Sequence, residues 1–327
     1  MKTTSYFYTT DPDKAGYSLA NAEYLWRPCL DAAGVTSVVE VGSYRGKLTA
    51  ALLEWAASSG ARVTAIEPAP LDDLLRLCEE HPELELVRET SHEALGHIST
   101  PDAVILDGDH NYYTLTVELR MIAERSPDGR LPLLLFHDVG WPLARRDAYH
   151  APERIPEEHR QPMAADVNLV PGNPGLAERG LPFEWAALRE GGPRNGVMTA
   201  IEDFLADHDG LRLVTVPIFF GVGFMWREDA PWSDAVAAIL EPWDGNPLLA
   251  RLEETRVAQL VLRHAREQEL DEVHEHYRRQ EDLLRIMLES GAFATAERLS
   301  RLRQRGRPAF SREQVRRVLD DGAPPAP

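Results

Sequence analysis

The stretch that most constrains the fold runs from residue 37 to residue 46, with the sequence SVVEVGSYRG. Its first residues are β-branched and apolar, as in a strand at the centre of a parallel sheet, and residues 47–57 are good helix formers. The stretch predicts the first strand–turn–helix unit of a nucleotide-binding α/β domain. Gly42 and Gly46 would permit a sharp turn and the close approach of a ligand to the helix N-terminus.

The same turn argues against a dinucleotide as the ligand. A dinucleotide fingerprint requires a third glycine between the two, where the backbone touches the pyrophosphate, and this chain has Tyr44 there. Glu40 would repel a diphosphate, but it suits a ligand with an ammonium group, a sulfonium group, one ribose and no phosphate. S-adenosylmethionine (SAM) fits that description. Tight packing of strand against helix is the alternative explanation for the two glycines.

The rest of the pattern alternates between strands and helices. Apolar or alternating runs predict strands at residues 61–66, 84–88, 103–106, 131–136, 211–216 and 219–226, and amphipathic runs predict helices at residues 18–33, 71–81, 112–124 and 195–207. Such alternation is typical of α/β proteins. Two additions are a Pro-, Gly-, Arg- and His-rich insertion at residues 140–194 and a helical region from residue 246. Long insertions of this kind are usually lids or binding loops.

Ionisable side chains follow two predicted strands at the point where each strand ends. Asp107, Asp109 and His110 come directly after residues 103–106, and His137 and Asp138 follow residues 131–136. Ligands of open α/β sheets bind outside the carboxyl ends of the strands, so these groups predict a site, with solvated turn residues as the alternative. Carboxylates with histidine suggest a divalent cation held mainly by oxygen, with Mg²⁺ as the expected ion. The metal-ligand candidates are Asp107, Asp109, His137 and Asp138.

Glu67 ends the second predicted strand, about 20 residues after Gly46. At this offset an acidic residue can bind both hydroxyl groups of an adenosine ribose. A strand-end glutamate that is simply solvated is the alternative.

The segments LDGDHNYY and FHDVGWP resemble those of class I SAM-dependent methyltransferases. More narrowly, they are similar to the macrocin-type sugar O-methyltransferases and the cephalosporin-hydroxylase-like methyltransferases of antibiotic biosynthesis. The resemblance extends from residue 37 to residue 227. It implies a Rossmann-like seven-stranded sheet, mostly parallel with the last strand antiparallel and with helices on both faces, a long insertion after the fifth strand and a helical C-terminal extension.

The resemblance also implies roles for single residues. The cofactor-binding candidates are Glu40, Gly42, Ser43, Gly46, Glu67, Ser91 and Asp107. In metal-dependent relatives, acids at the positions of Asp107 and Asp138 ligate the cation. This chain has His137 where several relatives have a second acid, which leaves the metal open. His110 stands where catechol-type relatives place the base that takes the hydroxyl proton, and a histidine suits that role. The catalytic candidates are therefore His110 and His137.

Three functions follow, in order of preference. The first is a SAM-dependent and Mg²⁺-dependent O-methyltransferase acting on a hydroxylated small molecule, such as a sugar or phenol in natural-product tailoring. The second is a SAM-dependent N-methyltransferase or another SAM-using tailoring enzyme, although an Asp-Gly-Asp-His sequence stands where amino-group methylases often carry Asn/Asp-Pro-Pro-aromatic. The third is a non-catalytic scaffold that retains the fold.

Composition and length set the remaining expectations. Lys+Arg 35 against Asp+Glu 53 gives a formal net charge of −18, which disfavours a nucleic-acid partner. Two cysteines and no apolar run of about 20 residues predict a cytoplasmic protein without a membrane anchor. The 327 residues divide into an arm and cofactor-covering helix (1–34), a SAM-binding domain (35–245) with a substrate lid (140–194), and a helical extension (246–327). The helical extension favours a homo-oligomer.

Overall fold

The structure is a computed structural model that describes residues 16–303 and 311–321. The predicted arm therefore lies largely outside the described residues. The chain forms two compact units that divide between His264 and Ala265, whereas the predicted extension begins at residue 246.

A seven-stranded sheet forms the centre of the first unit. The strands of the described residues are β1 (Ser37–Val41), β2 (Arg62–Ile66), β3 (Glu85–Val87), β4 (Ala103–Leu106), β5 (Leu133–Phe136), β6 (Met163–Leu169), β7 (Leu181–Ala187), β8 (Leu211–Val216) and β9 (Val222–Arg227). The spatial order of the large sheet is β3-β2-β1-β4-β5-β9-β8, and β9 is antiparallel to both of its neighbours. The predicted mostly parallel sheet with an antiparallel last strand is confirmed.

Helices cover both faces of this sheet. The helices of the described residues are α1 (Glu23–Ala32), α2 (Lys47–Ser59), α3 (Asp72–Glu80), α4 (Ser91–Ala94), α5 (Tyr112–Arg125), α6 (Val197–Asp207), α7 (Ser233–Leu240), α8 (Pro247–Glu289), α9 (Gly291–Arg303) and α10 (Arg312–Asp321), of which α9 and α10 belong to the second unit. Val38 of β1 packs in one apolar cluster with α1, α2 and α7, while Val39 and Val41 pack in a second cluster with α5 and α6. Every residue of β4 and β5 is buried, which explains their continuous apolar sequences.

The last predicted strand begins later than the sequence indicates. Phe219, Phe220 and Gly221 have φ angles of 50°, 67° and 93°, so they form a left-handed turn instead of extending β9. The prediction of a strand over residues 219–226 is wrong for these three residues. Their apolar side chains match a buried strand, but contacts with distant parts of the chain hold their backbone in the turn.

The insertion after β5 is folded and anchored. β6 and β7 form an antiparallel pair within it. The buried guanidinium of Arg146 donates to the carbonyl groups of Ala187, Pro174 and Gly175. The buried carboxylate of Asp147 accepts hydrogen bonds from the N–H groups of Tyr112 and Gly196, at the starts of α5 and α6. These bonds fix the insertion to the two helices that flank it.

The second unit consists of the remainder of α8 with α9 and α10. Leu288 and Leu319 are buried in it, and Arg312 donates to the carbonyl group of Ser290. The predicted helical C-terminal extension is confirmed. Within residues 16–303 and 311–321, no helix has the length and apolar character needed to cross a membrane.

Candidate active site at the carboxyl ends of the strands

The turn between β1 and α2 brings two strand ends into contact. Gly42 has a φ of +86°, and a Cβ atom there would lie 2.2 Å from the carbonyl oxygen of Asp107 and 2.6 Å from Cα of Gly108. Gly46 has a φ of +80°, and its Cβ would lie 3.0 Å from Cδ1 of Leu74. Both glycines are therefore required by backbone conformation and packing alone. Their predicted contact with the cofactor stays a prediction.

Glu40 is buried directly beneath this turn, with 1% of its surface exposed. Its Oε2 atom accepts hydrogen bonds from the hydroxyl groups of Thr49 (2.5 Å) and Ser43 (3.1 Å). Burial raises the pKa of Glu40 to about 8, although the two hydroxyl groups act in the opposite direction. Glu40 is thus largely protonated at neutral pH, and the side chain of Ser43 is directed at it.

Glu67, at the end of β2, is tied to the same turn. Its Oε2 atom accepts a hydrogen bond from the Tyr44 N–H (2.9 Å), and Oε1 accepts one from the Ala69 N–H (3.0 Å). These two bonds fix the carboxylate beside the β1–α2 turn, at the predicted strand end.

Ser91 begins α4, and its side chain acts to lower the pKa of Glu118 of α5, a residue that sequence reasoning missed. Glu118 is 3% exposed, its pKa is raised to about 8 by burial, and its Oε1 atom has no hydrogen-bond partner in the described part of the chain. A signal for it was present. Glu118 falls at helical spacing from Leu115 and Ile122, on the otherwise apolar face of α5.

His137 follows β5 and is enclosed by hydrogen-bond acceptors. Its Nδ1 atom lies 2.9 Å from Oδ1 of Asp107 and 3.8 Å from Oδ2 of Asp138, and Nε2 lies 2.7 Å from the carbonyl oxygen of Phe219. Burial would lower the pKa of His137, but the charges of Asp107 and Asp138 and the hydrogen bonds raise it to about 10. In this state both ring nitrogens donate, and His137 is a buried cation.

These residues also fit a metal ion. One donor atom each from Asp107, His137 and Asp138 lies within 4.8 Å of the others. Metal-bound histidines usually donate their second ring N–H to a carbonyl or carboxylate group, as Nε2 of His137 does to Phe219. Nδ1 then faces the two carboxylates, and a cation would replace its proton. Two oxygens and one nitrogen suit a divalent cation, with imidazole shifting the preference from Mg²⁺ toward transition metals.

The other two predicted residues of this cluster, Asp109 and His110, differ in their positions. Asp109 lies outside the three-residue group, and its Oδ1 atom accepts a hydrogen bond from the His150 N–H (3.1 Å). His110 joins the cluster, because its Nε2 atom lies 3.3 Å from Oδ2 of Asp138. Its side chain is 18% exposed, so the imidazole combines an orienting carboxylate with access from solvent.

A distant segment completes the site. The left-handed turn that supplies the Phe219 carbonyl is held by α8, since the Phe220 N–H donates to Oε1 of Glu253 (2.7 Å). Arg256 binds the same carboxylate, and its guanidinium lies 4.4 Å from the centre of the Phe220 ring. Sequence reasoning missed this support, because nothing local to residues 219–221 marks a turn before Gly221.

Comparisons with known proteins give one family match and several similar solved structures. Residues 39–139 match a family model described as "Methyltransferase domain". No curated protein matches the chain. One similar solved structure is the SAH-bound Podospora anserina methyltransferase PaMTH1, at 14% identity, with 67% of this chain and 83% of that chain covered and a TM-score of 0.42.

A second is the O-methyltransferase NcsB1 from neocarzinostatin biosynthesis, in complex with SAM and 2-hydroxy-5-methyl naphthoic acid. It is 15% identical, with 64% of this chain and 55% of that chain covered and a TM-score of 0.36. The family match runs from within β1 to just past β5, the strands whose ends carry the clustered residues. That match identifies residues 39–139 of the chain as a methyltransferase domain.

Proposed function

We propose that this enzyme transfers the methyl group of SAM to a hydroxyl group of a small molecule, with a divalent cation, in the first instance Mg²⁺, held by Asp107, His137 and Asp138. The observation that carries the proposal is the cluster at the ends of β4 and β5, where these three donor atoms lie within 4.8 Å of one another and beside His110. Carboxylates and imidazole at this edge suit the activation of an oxygen nucleophile.

The acceptor's proton is assigned to His110. Oδ2 of Asp138 lies 3.3 Å from Nε2 of His110. We propose that Nδ1 of His110 takes the proton and that the nearby carboxylate stabilises the imidazolium that forms. A bound cation would lower the pKa of the acceptor's hydroxyl group. The enzyme then has only to align the acceptor oxygen with the methyl group of SAM, since the sulfonium already activates that methyl group.

The cofactor is assigned to the ends of β1 and β2. Glu67 is proposed to bind the ribose hydroxyls, because its carboxylate is fixed at the β1–α2 turn by the Tyr44 N–H. Glu40 is proposed to lie beside the ammonium and sulfonium end of SAM, whose positive charge would favour the ionised carboxylate, with Ser43 acting through its hydrogen bond to Glu40. Ser91 is proposed to line the adenine, at the start of α4.

Several finer assignments stay predictions from the sequence. They are the sugar or phenol class of acceptor, the tailoring role in antibiotic biosynthesis, the lack of a nucleic-acid partner and the cytoplasmic location. The structure adds that Cys29 and Cys78 are free cysteines.

The test is transfer of a labelled methyl group from SAM to a panel of sugars, phenols and matched amines. We expect transfer to hydroxylated acceptors, loss of transfer with EDTA, and recovery with Mg²⁺ or Mn²⁺. Transfer that EDTA does not change would remove the cation from the proposal, and transfer to amines alone would overturn O-methylation. His110→Ala should abolish transfer, while His81→Ala, at a surface histidine paired with Glu83, should not.

A further inference from the structure

The part of α8 in the second unit lies almost entirely in solvent. From residue 269 to residue 287, every residue except Glu281 is exposed. Helices in proteins gain most of their stability from packing an amphipathic face. A packing partner would therefore stabilise this exposed stretch.

The exposed stretch carries a heptad pattern. Apolar side chains and one glutamine recur at alternating spacings of three and four residues, and the apolar members are between 39% and 64% exposed. These positions are Leu270, Val273, Tyr277, Gln280, Leu284 and Met287. Such spacing places all six on one side of the helix, as in the seam of a left-handed coiled coil.

We propose that residues 270–287 form a parallel, in-register coiled coil with a second copy of this chain. In that arrangement, Glu269 lies opposite His274 of the second copy, and His276 lies opposite Glu281 of the second copy. Each pair joins a carboxylate to an imidazole, and two-fold symmetry repeats both pairs. An antiparallel arrangement keeps only the His274–Glu281 pair, so the flanking carboxylate–imidazole pairs favour the parallel one.

Gln280 fixes the register of the proposed pair. Two glutamines from the two copies meet in one layer only when the helices are in register, because any shift buries each amide against an apolar side chain. The charge pattern also identifies the occupant. The flanking residues complement a copy of themselves, which a seam for an unrelated partner does not require.

Disulfide trapping tests the orientation. In a Cys78→Ala background, mild oxidation of Leu270→Cys should give a covalent dimer on a non-reducing gel, whereas Glu275→Cys, on the opposite side of the helix, should not. In an antiparallel pair the two copies of residue 270 would be about 25 Å apart. A dimer trapped by Leu270→Cys with Met287→Cys, but not by Leu270→Cys alone, would overturn the parallel arrangement.

Sedimentation tests the pairing itself. The wild-type chain should sediment as a dimer, and Val273→Glu/Leu284→Glu should convert it to a monomer. Arg278→Glu/Arg279→Glu introduces the same two acids on the outer face and should leave the dimer intact. SAM binding by each variant reports that the first unit is folded. A monomeric wild type, or a seam variant that remains dimeric, would contradict the proposal.

Discussion

The two halves of the sheet edge differ in how far apart in sequence their partners lie. At the ends of β1 and β2, Glu40 binds hydroxyl groups three and nine residues away. At the ends of β4 and β5, His137 binds Asp107 and Phe219, which are 30 and 82 residues away. The contacts of Glu40 are therefore specified by a local turn sequence, and those of His137 depend on correct packing of the whole first unit.

The halves also differ in charge. Burial leaves Glu40 largely neutral at pH 7, whereas two carboxylates keep His137 cationic. In the proposed function, the half with Glu40 holds the cofactor, and the half with His137 exchanges the proton on Nδ1 for a metal ion beside the acceptor oxygen. Variants that affect one half alone test this division.

The largest effect should come from Asp107→Asn. This residue lies in the acceptor half of the sheet edge, which is the half at the ends of β4 and β5. The substitution removes a carboxylate that is bonded to His137 and belongs to the proposed cation site. We expect methyl transfer to fall by about 10³-fold at saturating SAM, similar to the loss of a main electrostatic group in other enzymes. Initial rates measure this. Asp109→Asn is the matched control, and an equal loss in both variants would show that the three-residue group has no special role.

Gly42→Ala should give the next largest effect, because Gly42 packs against Asp107 where the two halves meet. The alanine Cβ would collide with the backbone of Asp107, and residue 42 would have to keep its left-handed conformation. We therefore expect the free energy of unfolding to fall by about 3 kcal/mol. Gly60→Ala, at a left-handed glycine with open space around it, should cost only about 1 kcal/mol. Urea unfolding of both variants measures the difference, and equal losses would exclude the predicted collision.

Glu40→Gln should change how stability depends on pH. Burial raises the pKa of Glu40 from its ordinary value of 4.5 to about 8, so between these values the folded chain holds a proton that the unfolded chain releases. This group therefore makes the wild type lose stability as pH rises through that window, by up to about 1.4 kcal/mol per pH unit. Urea unfolding between pH 5 and 8 should show a shallower decline for Glu40→Gln, and parallel declines would refute a buried neutral Glu40.

Glu253→Ala should have the smallest effect. It removes the acceptor for the Phe220 N–H in the turn that contacts His137, so the free energy of unfolding should fall by about 1 kcal/mol. Glu254→Ala is the control, because that side chain is exposed and paired only with Arg251 in the described contacts. Thermal unfolding compares the two variants. Equal losses of stability would show that Glu253 of α8 does not support the turn that contacts His137.

The sequence was most informative where structure is local. Residues 103–106 were predicted as a strand and form β4, because a short apolar run before Asp107 has few other solutions. The clustering of Asp107, His137 and Asp138 followed from the rule that parallel strands end at one edge.

Long-range contacts account for what the sequence did not reveal. The direction of the Asp109 side chain depends on the His150 N–H, 41 residues away. The anchoring of the insertion by Asp147 depends on the starts of two helices, and the turn at Phe219 depends on Glu253. Periodicity and local motifs carry no record of such contacts.

The most direct test of the account is a calorimetric titration of the chelator-treated enzyme with SAM. The account predicts one SAM per chain, an affinity weakened about tenfold in Glu67→Ala through loss of about 1.4 kcal/mol, and an unchanged affinity in His110→Ala. A wild-type chain that takes up no SAM would contradict the account.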